Sequence, residues 1–167
     1  VSIRNAQDGI GLLQTADGAL NEVGNILQRM RDLAVHAGTD TTDADARAAD
    51  KAEYEALVLE LDRIASTTKF GSQNILDGTF TGKEFVVGAT AAGGDVVTVD
   101  IESGTATEGF DSTDLGVNGL AFTNATTSQG HVATIDAAID EGTAARGNIG
   151  ALQNRLEHTV TNLNNVM

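Results

Sequence analysis

The chain of 167 residues contains no cysteine, no proline and no tryptophan, and its aromatic share is only 4%. Without cysteine there is no disulfide, no thiolate metal ligand and no thiol nucleophile. Without proline nothing obliges a helix to break, so long uninterrupted helices are permitted. With so few rings, a core must be assembled from Leu, Ile, Val and Ala, which suits thin helix-on-helix packing better than a globular enzyme interior. Positive charge is scarce as well. Ten Lys and Arg stand against 24 Asp and Glu, a net charge of -14. That balance argues against non-specific binding of nucleic acid or of an anionic membrane surface. No run of about eighteen apolar residues occurs, so no membrane-spanning helix is expected. No signal-peptide pattern stands at Val1. The chain opens inside one helical pattern and closes inside another, at "TNLNNVM", and so reads as a piece of a longer protein.

What is present is a long apolar seam. Ile3, Ala6, Ile10, Leu13, Ala16, Leu20, Val23, Leu27, Met30, Ala34 and Ala37 recur at steps of three and four, with one extra three between Leu13 and Ala16. This is a coiled-coil seam with a stammer-like discontinuity. A helix of that length spans roughly 50 Å. Gly9, Gly11, Gly18 and Gly24 lie inside it. Each costs up to about 1 kcal/mol against Ala, so stability must come from packing along the seam. Gly38 is expected to end the helix as a left-handed cap. In "TDTTDADA", Thr42 or Asp43 can cap a second helix, with Asp43 and Asp45 at its positive end. Tyr54, Leu57, Leu61, Ile64 and Thr68 carry the three-four spacing onward. This helix is expected to fold back antiparallel on the first.

From Phe70 the period changes. "GKEFVVGATAAGGDVVTVDIE" reads as two short strands around a Gly-rich loop, with Val97, Val99 and Ile101 alternating with Thr98 and Asp100. "ESGTATEGFDSTDLGVNGL" is loop-like. The helical period returns near His131, with a seam of Val132, Ile135, Ile139, Gly142, Ala145, Ile149, Leu152, Leu156, Val160, Leu163 and Met167. The expected architecture is mainly α: a long antiparallel three-helix bundle or coiled-coil rod with a small β-hairpin unit before the last helix. The expected bounds are 1–38, 42–69, 70–127 and 128–167, in one domain. Gly142, Gly147 and Gly150 are expected to let the last helix approach its neighbours closely.

A search for catalytic or metal chemistry is largely negative. His36, His131 and His158 are the three histidines, and no two share ligand spacing on one face. No HExxH occurs. Asp40, Asp43 and Asp45 lack the spacing and distal Glu of a calcium loop, and a capped helix start explains them better. "GGDVVTVD" is one unrepeated copy of a β-roll-like pattern, and a turn is the better reading. Asn124-Ala125-Thr126 is a formal glycosylation sequon of the kind chance produces. No carboxylate pair is nominated for acid–base work and no cofactor motif is present, so the chain is expected not to be an enzyme.

"LQRMRDLAVHA" (27–37) carries the sharper question. Arg29 and Arg31 are turned by about 200° from each other on a helix, so they cannot grip one ligand together. Arg29 belongs instead to a second stripe, Ile26, Arg29, Leu33 and His36, displaced by roughly 100° from the main seam. Two readings stand. In one, the stripe packs against another helix and Arg29 snorkels. In the other, Leu33 flanked by Arg29 and His36 is an exposed anchor for a partner.

"RNAQDGIGLLQTADGALNEVGNILQRMRDLAVHA" closely resembles the N-terminal rod segment of bacterial flagellins. "ELDRIASTTKFGSQNILDG" resembles their second helix and following turn, and "IGALQNRLEHTVTNLNN" is similar to their C-terminal rod helix. The resemblance implies a secreted, extracellular structural subunit of the flagellar filament that serves motility. Its implied partners are other flagellin subunits, an export chaperone and the filament cap. It also implies a fragment that folds without building filaments, because the family's terminal filament-core segments lie beyond it. The family is a ligand of Toll-like receptor 5, which implies a receptor-binding patch at Gln28, Arg29, Leu33, His36 and Glu53. The sequence departs from many receptor-activating members at His36, where they carry glutamine, and at Asp32, where Glu is common. Asn148, Gln153, Asn154 and Asn165 are further candidates for hydrogen bonds between subunits. The alternative reading is a hook–filament junction protein, which shares the rod helices. A flagellin with an inserted metalloprotease domain would need a length and a motif that are not here.

Overall fold

The computed structural model describes residues 1–88, 96–104 and 108–166. The Gly-rich loop expected around "ATAAGGD" and the last seam residue, Met167, lie outside the described residues. Three helices dominate: α1 (Ser2–Ala37), α2 (Ala44–Thr67) and α3 (Ala125–Val166). Between α2 and α3 lie β1 (Lys69–Phe70) paired antiparallel with β2 (Gln73–Asn74), and β3 (Lys83–Val86) paired antiparallel with β4 (Val96–Val99).

The α1 seam is the core. Ala6, Leu13, Ala16, Leu20, Val23, Leu27, Met30, Ala34 and Ala37 are all buried. Their apolar area is what offsets four interior glycines. Both neighbours run antiparallel to α1. On the α2 side, Arg29 meets Glu53 and Arg47 donates to the Ala37 carbonyl. On the α3 side, Arg31 meets Asp136 and Arg146 meets Asp17. The α1–α3 interface is the more extensive of the two. The expected antiparallel rod with a β-hairpin is therefore the observed fold.

The helix starts and stops refine the expectations. Asp43 caps α2, accepting from Ala46 N at 2.8 Å. The helix ends at Thr67, two residues before the expected limit, because Thr68 is extended (φ −72°, ψ 116°) and leads into β1. Helix α3 begins at Ala125 rather than 128. Asn124 Oδ1 accepts from Thr127 N at 2.8 Å, so the asparagine of the formal sequon serves as a helix cap. Gly38 is not a left-handed cap. Its φ is −82° and ψ −3°. Glycine suits this position through space instead: a Cβ would stand 2.7 Å from Gln129 Cγ and 3.1 Å from Gln129 N, where α3 crosses the end of α1.

The expectation for Gly142, Gly147 and Gly150 is overturned. A Cβ at any of the three meets nothing within 4 Å, so these glycines do not bring α3 closer to α1 or α2. The close approach lies on the partner helix, at Gly9, where a Cβ would be 2.8 Å from Leu156 Cδ1. Replacing Gly147, which is exposed within α3, by Ala is therefore expected to stabilise the chain by about 1 kcal/mol, read from the urea unfolding midpoint. A loss of stability would show that the helix needs that site open.

In β4, Val97 and Val99 are buried while Thr98 and Asp100 are exposed, with Ile101 buried beyond them. The loop-like stretch after it adds to the core, since Phe110, Leu115, Val117 and Phe122 are all buried. Two residues of α2 pin it: Tyr54 Oη donates to the Val117 carbonyl at 2.7 Å, and Asp62 Oδ1 accepts from both N and Oγ of Ser112 at 2.8 Å. Burial raises the Tyr54 phenol well above its usual range, so it stays a donor.

Glu141 of α3 lies beside Gly104. A Cβ on Gly104 would be 3.3 Å from the Glu141 carboxyl, and Oε2 is buried with no hydrogen-bond partner among the described residues. Burial, then the neighbouring Glu108 charge, raises its pKa above 4.5. The protonated form therefore favours the folded chain. Its contribution is fully present below the unfolded pKa and is lost as pH rises through the raised folded value. Glu141→Gln is expected to be more stable than the parent at neutral pH, with the gap closing as pH falls towards 4.5, by urea titration across this range. A gap that stays constant with pH would contradict this.

Candidate functional site

The structure separates the five residues implied by the resemblance. Arg29 Nη2 donates to Glu53 Oε2 at 2.7 Å and Oε1 at 3.0 Å, a forked pair bridging α1 and α2. Both side chains remain about half exposed, at 54% and 45%. Two turns further, His36 Nδ1 lies 2.5 Å from Asp50 Oδ2, again across α1 and α2. Between the two bridges sits Leu33, which is 3% exposed. The packing reading of the stripe therefore holds. Leu33 is not an exposed anchor, because folding α2 back over α1 covers it. Arg31, excluded from the stripe by helix geometry, points the other way and donates to Asp136 of α3 at 2.6 Å.

Gln28 lies apart from the bridges. It lines a shallow groove of about 170 Å³ between α1 and α3, with Asn21, Asn25, Thr143 and Arg146. The accessible shoulder of α1 thus runs from Arg29 and His36 on the α2 side to Gln28 on the α3 side. Val35 stands on this shoulder and is 45% exposed, one of the few large apolar side chains left open. Sequence reasoning passed over Val35 because it belongs to neither apolar stripe. It also passed over Asp50, the partner of His36, whose position relative to α1 depends on the α2 fold-back. These side chains offer charge pairing, hydrogen bonding and an apolar contact. No group of three or more His, Cys, Asp or Glu among the described residues is arranged to hold a metal ion.

Comparison with known proteins places this rod. Residues 1–81 match the bacterial flagellin N-terminal helical region, and residues 132–167 match the bacterial flagellin C-terminal helical region. The crystal structure of Bacillus cereus flagellin superposes with a TM-score of 0.78 at 33% identity, covering 96% of this chain and 88% of that one. The chain belongs to the bacterial flagellin family. A flagellin from Halalkalibacterium halodurans is 39% identical over 97% of the chain, and one from Listeria monocytogenes is 36% identical over 97%. The chain spans 57% and 59% of the length of these two relatives. The structure of FliC from Burkholderia pseudomallei, at 20% identity and a TM-score of 0.73, shares the fold. Within this flagellin, the two matched regions are α1 with α2 and most of α3. They are joined by their antiparallel packing rather than by sequence proximity. Flagellins form a structural protein family, in keeping with the lack of a nominated catalytic group.

Proposed function

We propose that this flagellin is a structural subunit of an extracellular bacterial flagellar filament, assembling with further flagellin subunits after secretion. The observation that carries this reading is the superposition on Bacillus cereus flagellin over nearly the whole of both chains. The chemistry agrees. The buried seam is aliphatic, the helices bridge one another by ion pairs, and the surface carries side chains for contact rather than catalysis. An export chaperone and a filament cap are partners of the same reading. Immunogold labelling of sheared flagella with antibody against this chain tests it. Label along whole filaments is expected, whereas label confined to the hook end would favour the junction protein.

The shoulder of α1 is also a ligand surface for Toll-like receptor 5. Gln28, Arg29 and His36 with Glu53 of α2 supply the polar contacts, and Val35 the apolar one. Leu33 acts from beneath by holding α1 against α2. Arg29→Ala is expected to weaken binding to purified receptor ectodomain by about tenfold or more, as truncation of an interface arginine does. Its unfolding free energy should fall by less than about 1 kcal/mol, because the pair with Glu53 is exposed. Unchanged affinity would remove Arg29 from the patch.

A further inference from the structure

Asn118–Gly119 is the one Asn-Gly pair in the chain. Both residues are exposed, in a turn between buried Val117 and buried Phe122, and Gly119 has φ +73°. The Gly119 N–H makes no hydrogen bond among the described residues. A Cβ at Gly119 would meet nothing within 4 Å, so the space around it is open. The Asn118 side chain is held by one contact, Nδ2 to Thr113 Oγ1 at 3.5 Å, at the outer limit of hydrogen bonding. The other asparagines are better protected. Those in α1 and α3 are followed by N–H groups bonded within the helix. Asn74 is followed by Ile75, whose N–H donates to the Thr68 carbonyl. Asn124 is fixed as a helix cap and precedes a residue with a side chain. Asp8, Asp17 and Asp77 also precede glycine, but an ionised carboxylate resists attack by a backbone nitrogen.

We propose that Asn118 is a modification site, converted in the folded chain by solvent to aspartate and isoaspartate, and that the conversion loosens this turn. Hydroxide takes the Gly119 amide proton. The nitrogen then attacks Asn118 Cγ, which glycine hinders least because it has no Cβ. The N–Cγ bond closes a succinimide ring, the Cγ–Nδ2 bond breaks, and Nδ2 leaves as ammonia with a proton from water. Water next opens the ring at either carbonyl. One opening restores the ordinary backbone as aspartate, and the other routes the main chain through Cβ and Cγ as isoaspartate. The sum is one water consumed and one ammonia released. Isoaspartate adds a methylene to the main chain beside a firmly held residue. The Val117 carbonyl accepts from Tyr54 Oη at 2.7 Å, and its N–H donates to the Ser112 carbonyl at 3.0 Å. Either product also puts a carboxylate into a groove of about 320 Å³ that Asn118 lines together with Glu55, where like charges repel. The reaction needs no enzyme and is not reversed by the chain itself, so the mark accumulates with the age of the molecule.

The test ages the folded chain in mildly alkaline buffer, then reads each asparagine by peptide mass spectrometry and isoaspartate by methyl transfer from an isoaspartyl methyltransferase. Amide loss is expected first at Asn118, with isoaspartate formed there and a rate that rises in proportion to hydroxide. Asn118→Gln, an exposed substitution whose longer side chain cannot close the five-membered ring, should lose this signal and keep the parent's behaviour at every other asparagine. The urea midpoint of the aged parent should fall below that of the fresh parent, while the aged Asn118→Gln chain keeps its own. Asn118 remaining intact in the folded chain, while a free peptide of residues 114–123 converts in the same buffer, would overturn the site. Conversion with an unchanged midpoint would overturn the loosening of the turn.

Discussion

Gly109→Ala is expected to destabilise this flagellin by about 3 kcal/mol or more. A Cβ at this position would lie 2.5 Å from the Asp77 carbonyl carbon, 2.6 Å from Leu76 O and 2.7 Å from Gly78 N. All three are backbone atoms, so no rotamer change relieves the clash and two chain segments must part. They are coupled at the same point by the bond from Phe110 N to Leu76 O, 2.9 Å. Phe110 is fully buried, so the separation also withdraws a ring from a core that has few. The urea unfolding midpoint measures this directly. A loss below about 1 kcal/mol would mean that the 76–78 and 109–110 segments are not held in this contact.

Leu20→Ala should cost about 3–5 kcal/mol. Leu20 is 1% exposed at the middle of the α1 seam, and the seam has no aromatic residue to fill the space left behind. Set against a typical domain stability of about 5–15 kcal/mol, that is a large share. Leu59, on the outer face of α2, is the control. It is 69% exposed, and its replacement by Ala should change stability by no more than about 0.5 kcal/mol. Comparable losses at Leu20 and Leu59 in thermal or urea unfolding would contradict the assignment of the seam as the core.

The parts of this fold legible in the sequence are those written in a repeating pattern. The α1 seam, the α3 seam and the alternation of β4 each follow from a period of 3.6 or 2, and a chain without proline leaves them uninterrupted. Patterns of two residues are too short to read, so β1 and β2 went unseen. The glycines show a second limit. Gly38 and Gly109 are required by what lies across from them, Gln129 and the 76–78 backbone, which are remote in sequence. Gly147 and Gly150 sit in a similar sequence setting and face open space. The candidate face shows a third. Helix geometry correctly parted Arg29 from Arg31, but only the position of α2 decides that Leu33 is covered while Arg29, His36 and Val35 stay accessible. The loop after β4 read as polar and irregular, yet it supplies Phe110, Leu115 and Val117 to the core.

The central claim is that this rod is the repeating unit of a filament. Cryo-electron microscopy of filaments sheared from cells that make this protein tests it most directly. The account predicts that every subunit along the shaft contains the antiparallel α1–α3 pair with α2 folded against α1, with side-chain density for the Arg31–Asp136 and Arg146–Asp17 bridges. Shaft subunits built from a different sequence, with this chain absent or present only where filament meets hook, would contradict it.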